Sequence, residues 1–121
     1  MKLQADRTQG PTITGYGEGW VAINGEASHH SMLISSAGHR LEWHVSDFES
    51  LGAQDFETLL DWDIELVLFG SGPRVQFPKP QWLAALYAKR IGVETMDTQA
   101  ACRTFNFLAG EGRKVAAALL V

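Results

Sequence analysis

The run Ile64–Phe69 (IELVLF) constrains this chain more than any other stretch. A strand with one wet face alternates polar and apolar residues. One that is apolar nearly throughout is buried on both faces, as in a parallel sheet covered by helices. The residues after it agree with that reading. Gly70-Ser71-Gly72-Pro73-Arg74 turns the chain, and Pro80 suits the first turn of a helix. Leu83, Leu86 and Tyr87 form that helix's inward stripe, with Gly92 as its C′ stop. Val93–Met96 is a short strand, and Asp97 or Thr98 caps a second helix reaching about Gly110. Val115–Val121 is a last strand, whose alanines Ala116-Ala117-Ala118 permit a helix to approach closely.

The first half has a different grammar. Ile13, Tyr16, Trp20, Val21 and Ile23 are β-formers broken by Gly15, Gly17 and Gly19, and Asn24-Gly25 is a strong hairpin turn. SMLIS at 31–35 and LEWHV at 41–45 read as further strands around Gly38, and Phe56, Leu59 and Leu60 as one short amphipathic helix. The expected fold is α/β, a three-layer single domain. In it an N-terminal antiparallel strand meander precedes a mixed central sheet with helices packed on it. That domain spans residues 12–121, behind a flexible N-terminal arm at 1–11 that ends in Gly10-Pro11.

Composition narrows the function. A net charge of −4 and scattered cations argue against a nucleic-acid binder, which needs a basic footprint. One cysteine excludes an intrachain disulfide and an all-cysteine metal site. Four histidines, His29, His30, His39 and His44, all fall in the first half; His29 and His30 alternate across a strand, which argues against a shared metal. No cofactor is implied. The N-terminus has no apolar segment behind its charges, and no window is long enough to span a bilayer, so cytoplasm is the expected compartment.

The best place for chemistry is the carboxyl end of the parallel strands, where ligands sit in open α/β sheets. Two loops meet there if strands 64–69 and 93–96 are neighbours: Gly70, Ser71, Gly72 and Arg74, then Met96, Asp97 and Thr98. The start of the second helix would offer backbone N–H groups to an anion, unless Asp97 caps them itself. Neither phosphate motif is present, since no Gly-Lys-Ser/Thr follows and the prolines forbid a helix directly after the glycines.

On the second helix, Ala101, Phe105 and Leu108 share one arc, and Gln99, Arg103, Asn106 and Gly110 another, with Ala100 and Phe107 beyond it. A narrow polar stripe between apolar flanks predicts an enclosed helix. Its Arg103 and Asn106 would be shielded in a pocket, a network or an interface. Cys102, in the second turn, is near enough to the helix start for a slightly lowered thiol pKa. With no histidine placed beside it, it reads as packing. Glu111 is a partner for Arg103 or Arg113.

Gly70-Ser71-Gly72, Met96-Asp97-Thr98, Ala100–Asn106 (AACRTFN) and Glu111–Leu119 (EGRKVAAAL) together resemble a family of small bacterial and archaeal domains of unknown function. Its mitochondrial relative is a respiratory complex I assembly factor. The resemblance runs from about Ile13 to Leu120, with Ser71 where threonine is common and Phe105 where tyrosine is common. It implies a three-layer α/β fold and a bacterial protein, and supplies no reaction.

Two functions follow as expectations. The first is a non-enzymatic protein-binding domain that helps assemble or stabilise a larger, respiratory-type complex. Trp20, Trp43, Trp62 and Trp82 exceed what so small a core needs, and they suit an interface. The alternative is a small-molecule or anion-binding domain, with or without catalysis, using Gly70–Arg74, Met96–Thr98, Cys102, Arg103 and Asn106.

Overall fold

The computed structural model describes residues 10–121; residues 1–9, most of the expected arm, lie outside the described residues. The strands are β1 (Ile13–Gly17), β2 (Trp20–Ile23), β3 (Glu26–Ser28), β4 (Met32–Ser35) and β5 (Arg40–Glu42), then β6 (Leu66–Gly70), β7 (Gly92–Met96) and β8 (Val115–Leu119). Helix α1 (Pro80–Ala88) joins β6 to β7, and α2 (Thr98–Gly110) joins β7 to β8.

The central sheet has the order β5-β4-β8-β6-β7, with β6 parallel to both β8 and β7 and β4 antiparallel to β8. The apolar run is therefore an inner strand flanked by parallel neighbours, as its composition demanded. Strand β8 supplies the centre, and its period-2 alternation serves two cores. Ala116, Ala118 and Leu120 face α1 and the 3₁₀ helix Ala53–Asp61, beside Trp43, Phe56, Leu59 and Phe69. Val115, Ala117 and Leu119 face α2 and the small sheet, beside Ile23, Ile34, Cys102 and Phe105. These are the three layers.

The expected single meander is in fact divided. β1, β2 and β3 form a separate antiparallel sheet around the Asn24-Gly25 turn, where both residues adopt positive φ (50° and 88°). β4 leaves it because Met32, Leu33 and Ile34 are all buried. A strand apolar on both faces belongs inside a covered sheet. The strand expected at 41–45 stops at Glu42. A tight turn from the Val45 N–H to the Trp43 carbonyl swings the Trp43 ring inward, where its Nε1 donates to the Asp55 carbonyl at 2.8 Å.

Other expectations shift by local geometry. The helix expected around Phe56 is a 3₁₀ helix, Ala53–Asp61. Helix α1 stops at Ala88, and Arg90 (φ 64°) takes the C′ role expected of Gly92. The Arg90 N–H bonds the Tyr87 carbonyl and the Ile91 N–H the Leu86 carbonyl, the paired bonds of a Schellman ending, which frees Gly92 to open β7. Tyr87 is half exposed rather than part of the inward stripe. Trp43 and Trp62 are buried and Trp20 and Trp82 half-buried; the large apolar side chains left at the surface are Leu41, Val75, Phe77, Tyr87 and Phe107.

Candidate functional site

The two loops do meet. β6 and β7 are parallel neighbours with Gly70 opposite Met96, so Gly70-Ser71-Gly72 lies against the start of α2. The approach is close. A Cβ on Gly70 would sit 3.0 Å from the Thr98 Cα, 3.1 Å from its Oγ1 and 3.0 Å from Leu119, so any larger residue would have to push the start of α2 back by a few tenths of an ångström.

What fills the junction is the protein's own hydrogen bonding. The buried Thr98 hydroxyl donates to the Leu120 carbonyl at 2.7 Å and accepts from the Gly72 N–H at 2.9 Å. The Thr98 N–H returns a bond to the Gly72 carbonyl. The Ser71 hydroxyl, also buried, reaches the carbonyls of Arg74 (2.8 Å) and Met96 (3.2 Å) and accepts from the Gln76 N–H (2.9 Å). Asp97 caps α2 by accepting from the Ala100 N–H at 2.9 Å. Of the three helix-start donors Thr98, Gln99 and Ala100, two are thus already bonded within the chain.

The remaining candidates do not converge on that junction. Arg74 is exposed. Cys102 is fully buried on the inner face of α2, and burial pushes its thiol up to about 12 despite the lowering influence of Arg103. Desolvation thus outweighs the helix dipole that suggested a lowered value. Arg103 turns towards the small sheet, donating to the Tyr16 hydroxyl at 3.1 Å and lying 5.9 Å above that ring. It stays exposed, contrary to the enclosure expected of the polar stripe. Phe107 is exposed too, so α2 is covered on one side only. Asn106 is the half-buried member. Its Oδ1 accepts from the Ile13 N–H (2.9 Å) and its Nδ2 donates to the Ile13 carbonyl (2.7 Å), so the amide closes the edge of β1 as a neighbouring strand would. Glu111 is not the partner of Arg113, which pairs with Glu65 at 3.1 Å.

Sequence reading missed two groupings. His30 and His44 both approach the Glu42 carboxylate, at 3.9 and 3.6 Å, in a broad open cleft. Among the described residues, no group of three His, Cys, Asp or Glu side chains is placed to hold a metal ion. The second is a groove of about 340 Å3 between α1 and the edge strand β7, lined by Phe77, Pro78, Tyr87, Val93 and Thr95. Its signal in the sequence was the apolar Val75-Gln76-Phe77-Pro78 segment, which belongs to no element.

The family model described as "Protein of unknown function (DUF498/DUF598)" matches residues 13–120. The chain belongs to this family. One member, the Homo sapiens NADH dehydrogenase [ubiquinone] 1 alpha subcomplex assembly factor 3, is 34% identical over 122 residues, 98% of this chain and 65% of that protein. The chain spans 45% of the bovine counterpart. A Francisella tularensis relative named 13 kDa major membrane protein is 28% identical over 99% of both chains. Among solved structures, a Bordetella parapertussis protein matches with a TM-score of 0.86 and 35% identity, covering 91% of this chain and 94% of that one. The family thus joins this fold to complex-assembly proteins. No helix among the described residues is long and apolar enough to cross a membrane.

Proposed function

We propose that the chain is a non-enzymatic protein-binding domain that helps assemble or stabilise a larger, respiratory-type complex in the bacterial cytoplasm. The observation that carries this reading is the network at the carboxyl end of the parallel strands. Where an α/β enzyme of this layout would hold its ligand, Ser71 and Thr98 are engaged with the backbone of their own chain. The junction works as scaffolding. Kinship with the human assembly factor over nearly the whole chain points the same way. A domain with no membrane-crossing helix among its described residues can act on the exposed face of a membrane-embedded complex, which also suits a relative named for the membrane. The alternative, an anion or small molecule at the start of α2, has less in its favour because Asp97 and the Gly72 carbonyl occupy two of the donors.

The test is to isolate the tagged chain from its native cells under mild conditions and weigh it by native mass spectrometry. A stoichiometric assembly containing subunits of a respiratory complex is the expected result. A lone chain carrying a bound metabolite would overturn the reading in favour of the alternative.

A further inference from the structure

We infer that β7 pairs antiparallel with β7 of a second copy of the chain, across a two-fold axis at Val93, joining the two central sheets edge to edge. This goes beyond the protein-binding reading and does not depend on it.

Sheet edges are normally guarded against pairing. β3 and β5 are three residues long, with Glu26 of one paired to Arg40 of the other. β1 is met by Asn106, whose amide takes both backbone groups of Ile13. β7 is the exception. It has five regular residues, no proline and no lysine, and it lies last in the sheet order.

Its hydrogen bonding shows which groups are on offer. The Gly92 N–H bonds the Glu65 carbonyl and the Met96 carbonyl accepts from the Ser71 N–H, so alternate residues Gly92, Glu94 and Met96 face β6. Val93 and Thr95 therefore turn their N–H and C=O groups outward, where no strand among the described residues meets them. The Ile91 carbonyl points outward as well, because a trans peptide sets it opposite the Gly92 N–H. The Ile91 N–H is not on offer, being bonded to the Leu86 carbonyl.

These groups restrict the register. With Val93 facing its own copy, the two Val93 residues exchange a pair of bonds and each Thr95 N–H reaches an Ile91 carbonyl. An axis at Gly92 forms fewer bonds, since the Ile91 N–H is already used. An axis at Glu94 or at Thr95 forms as many, but sets Glu94 opposite or diagonal to its own copy, and like charges across strands destabilise.

Charge favours the Val93 register. There Glu94 stands opposite Gly92 of the second copy, which has no side chain to obstruct it, and diagonal to that copy's Arg90. Diagonal neighbours lie about 7–8 Å apart, within reach of long side chains. The right-handed twist of the pair draws this diagonal together and parts the two Glu94 residues. Neither Glu94 nor Arg90 takes part in an ion pair among the described residues. Two-fold symmetry supplies the contact twice. The acid beside the groove thus meets a cation that the chain itself carries at the matching spacing. Apolar surface agrees. Val93 and Thr95 share the α1 face, so the axis brings the two grooves together, each lined by Phe77, 74% exposed, and Tyr87, 50% exposed.

The experiment weighs the full chain by sedimentation across a concentration series. Wild type is compared with Thr95→Pro, Glu94→Arg, Arg90→Glu and the exchanged pair Arg90→Glu/Glu94→Arg. Thr95→Pro removes an outward N–H and leaves the ladder to β6 untouched. Wild type should reach a dimer. Its dissociation constant should rise at least about ten-fold for Thr95→Pro and for either single charge reversal. The exchanged pair should return to within about three-fold of wild type. Amide exchange at Val93 and Thr95 should slow as concentration rises, while that at Glu94, bonded to β6, stays unchanged. If circular dichroism shows Thr95→Pro unfolded, the charge exchange decides. A wild-type chain monomeric throughout the series would overturn the inference. So would a dimer indifferent to these changes, or an exchanged pair no tighter than the single reversals.

Discussion

Replacing Thr98 by valine keeps the side chain's shape and deletes one oxygen, which isolates the scaffolding role of the junction. That oxygen is donor to the Leu120 carbonyl and acceptor for the Gly72 N–H, in a side chain only 8% exposed. The Leu120 carbonyl is buried and loses its partner outright, at a cost of about 1–3 kcal/mol. Gly72 is only half-buried, so water can partly replace what its N–H loses, adding about 0.5–1 kcal/mol. A total near 3 kcal/mol, set against an unfolding entropy of about 0.25 kcal/mol/K for 121 residues, lowers Tm by about 12 °C. Calorimetry on Thr98→Val, with Thr98→Ser beside it, reads this directly. The serine variant keeps both bonds and should lose about 1 kcal/mol or less, for a methyl group. A valine variant within about 0.5 kcal/mol of wild type, or a serine variant equally damaged, would refute the reasoning.

Asn106→Leu deletes both bonds to Ile13 and should cost about 2 kcal/mol, with the Ile13 amide among the first in the small sheet to gain exchange; an unchanged Ile13 rate would count against the edge-closing role. Cys102, with its thiol pushed up to about 12 by burial, should resist iodoacetamide at neutral pH in the folded protein and react as a free thiol once unfolded. The Glu65 carboxyl is held below its ordinary value first by its hydrogen bond from Arg113 and then by the Lys114 N–H. Its contribution is complete above the unfolded value of 4.5 and fades as pH falls through the lower folded one. NMR titration of Arg113→Gln should therefore show the Glu65 midpoint moving up.

The parallel half of the fold was legible because its signals are local and redundant. IELVLF is apolar at all but Glu65 regardless of context, and Pro80 and Asp97 punctuate helix starts. Arg90 shows where that legibility ends. A left-handed residue is expected to be glycine, yet the Schellman bonds at the end of α1 hold an arginine there. That the loops after β6 and β7 would meet was legible, but what fills the space between them was not. The hydroxyls of Ser71 and Thr98 look alike in sequence whether they face a ligand or a carbonyl, and only the distances decide. The polar stripe of α2 misled for a related reason. Arg103 reaches Tyr16 from the solvent side, so a stripe can be polar because it borders a second sheet, without being enclosed. The β7 groove had no motif at all, because an open edge is a property of strand order.

The place of β8 bears on how the chain finds its shape. It is the latest of the eight strands in the chain, yet it lies between β4 and β6, with Met32 against Leu119 and Leu66 against Val115. As the polypeptide emerges from the ribosome, the β4-β5 hairpin and the β6-α1-β7 unit form two fragments with nothing between them. Each shows an unpaired inner edge and a bare apolar face until the alanine-rich strand arrives. Closing contacts so distant along the chain makes for slow folding. For that interval the nascent protein is itself a candidate for chaperone capture.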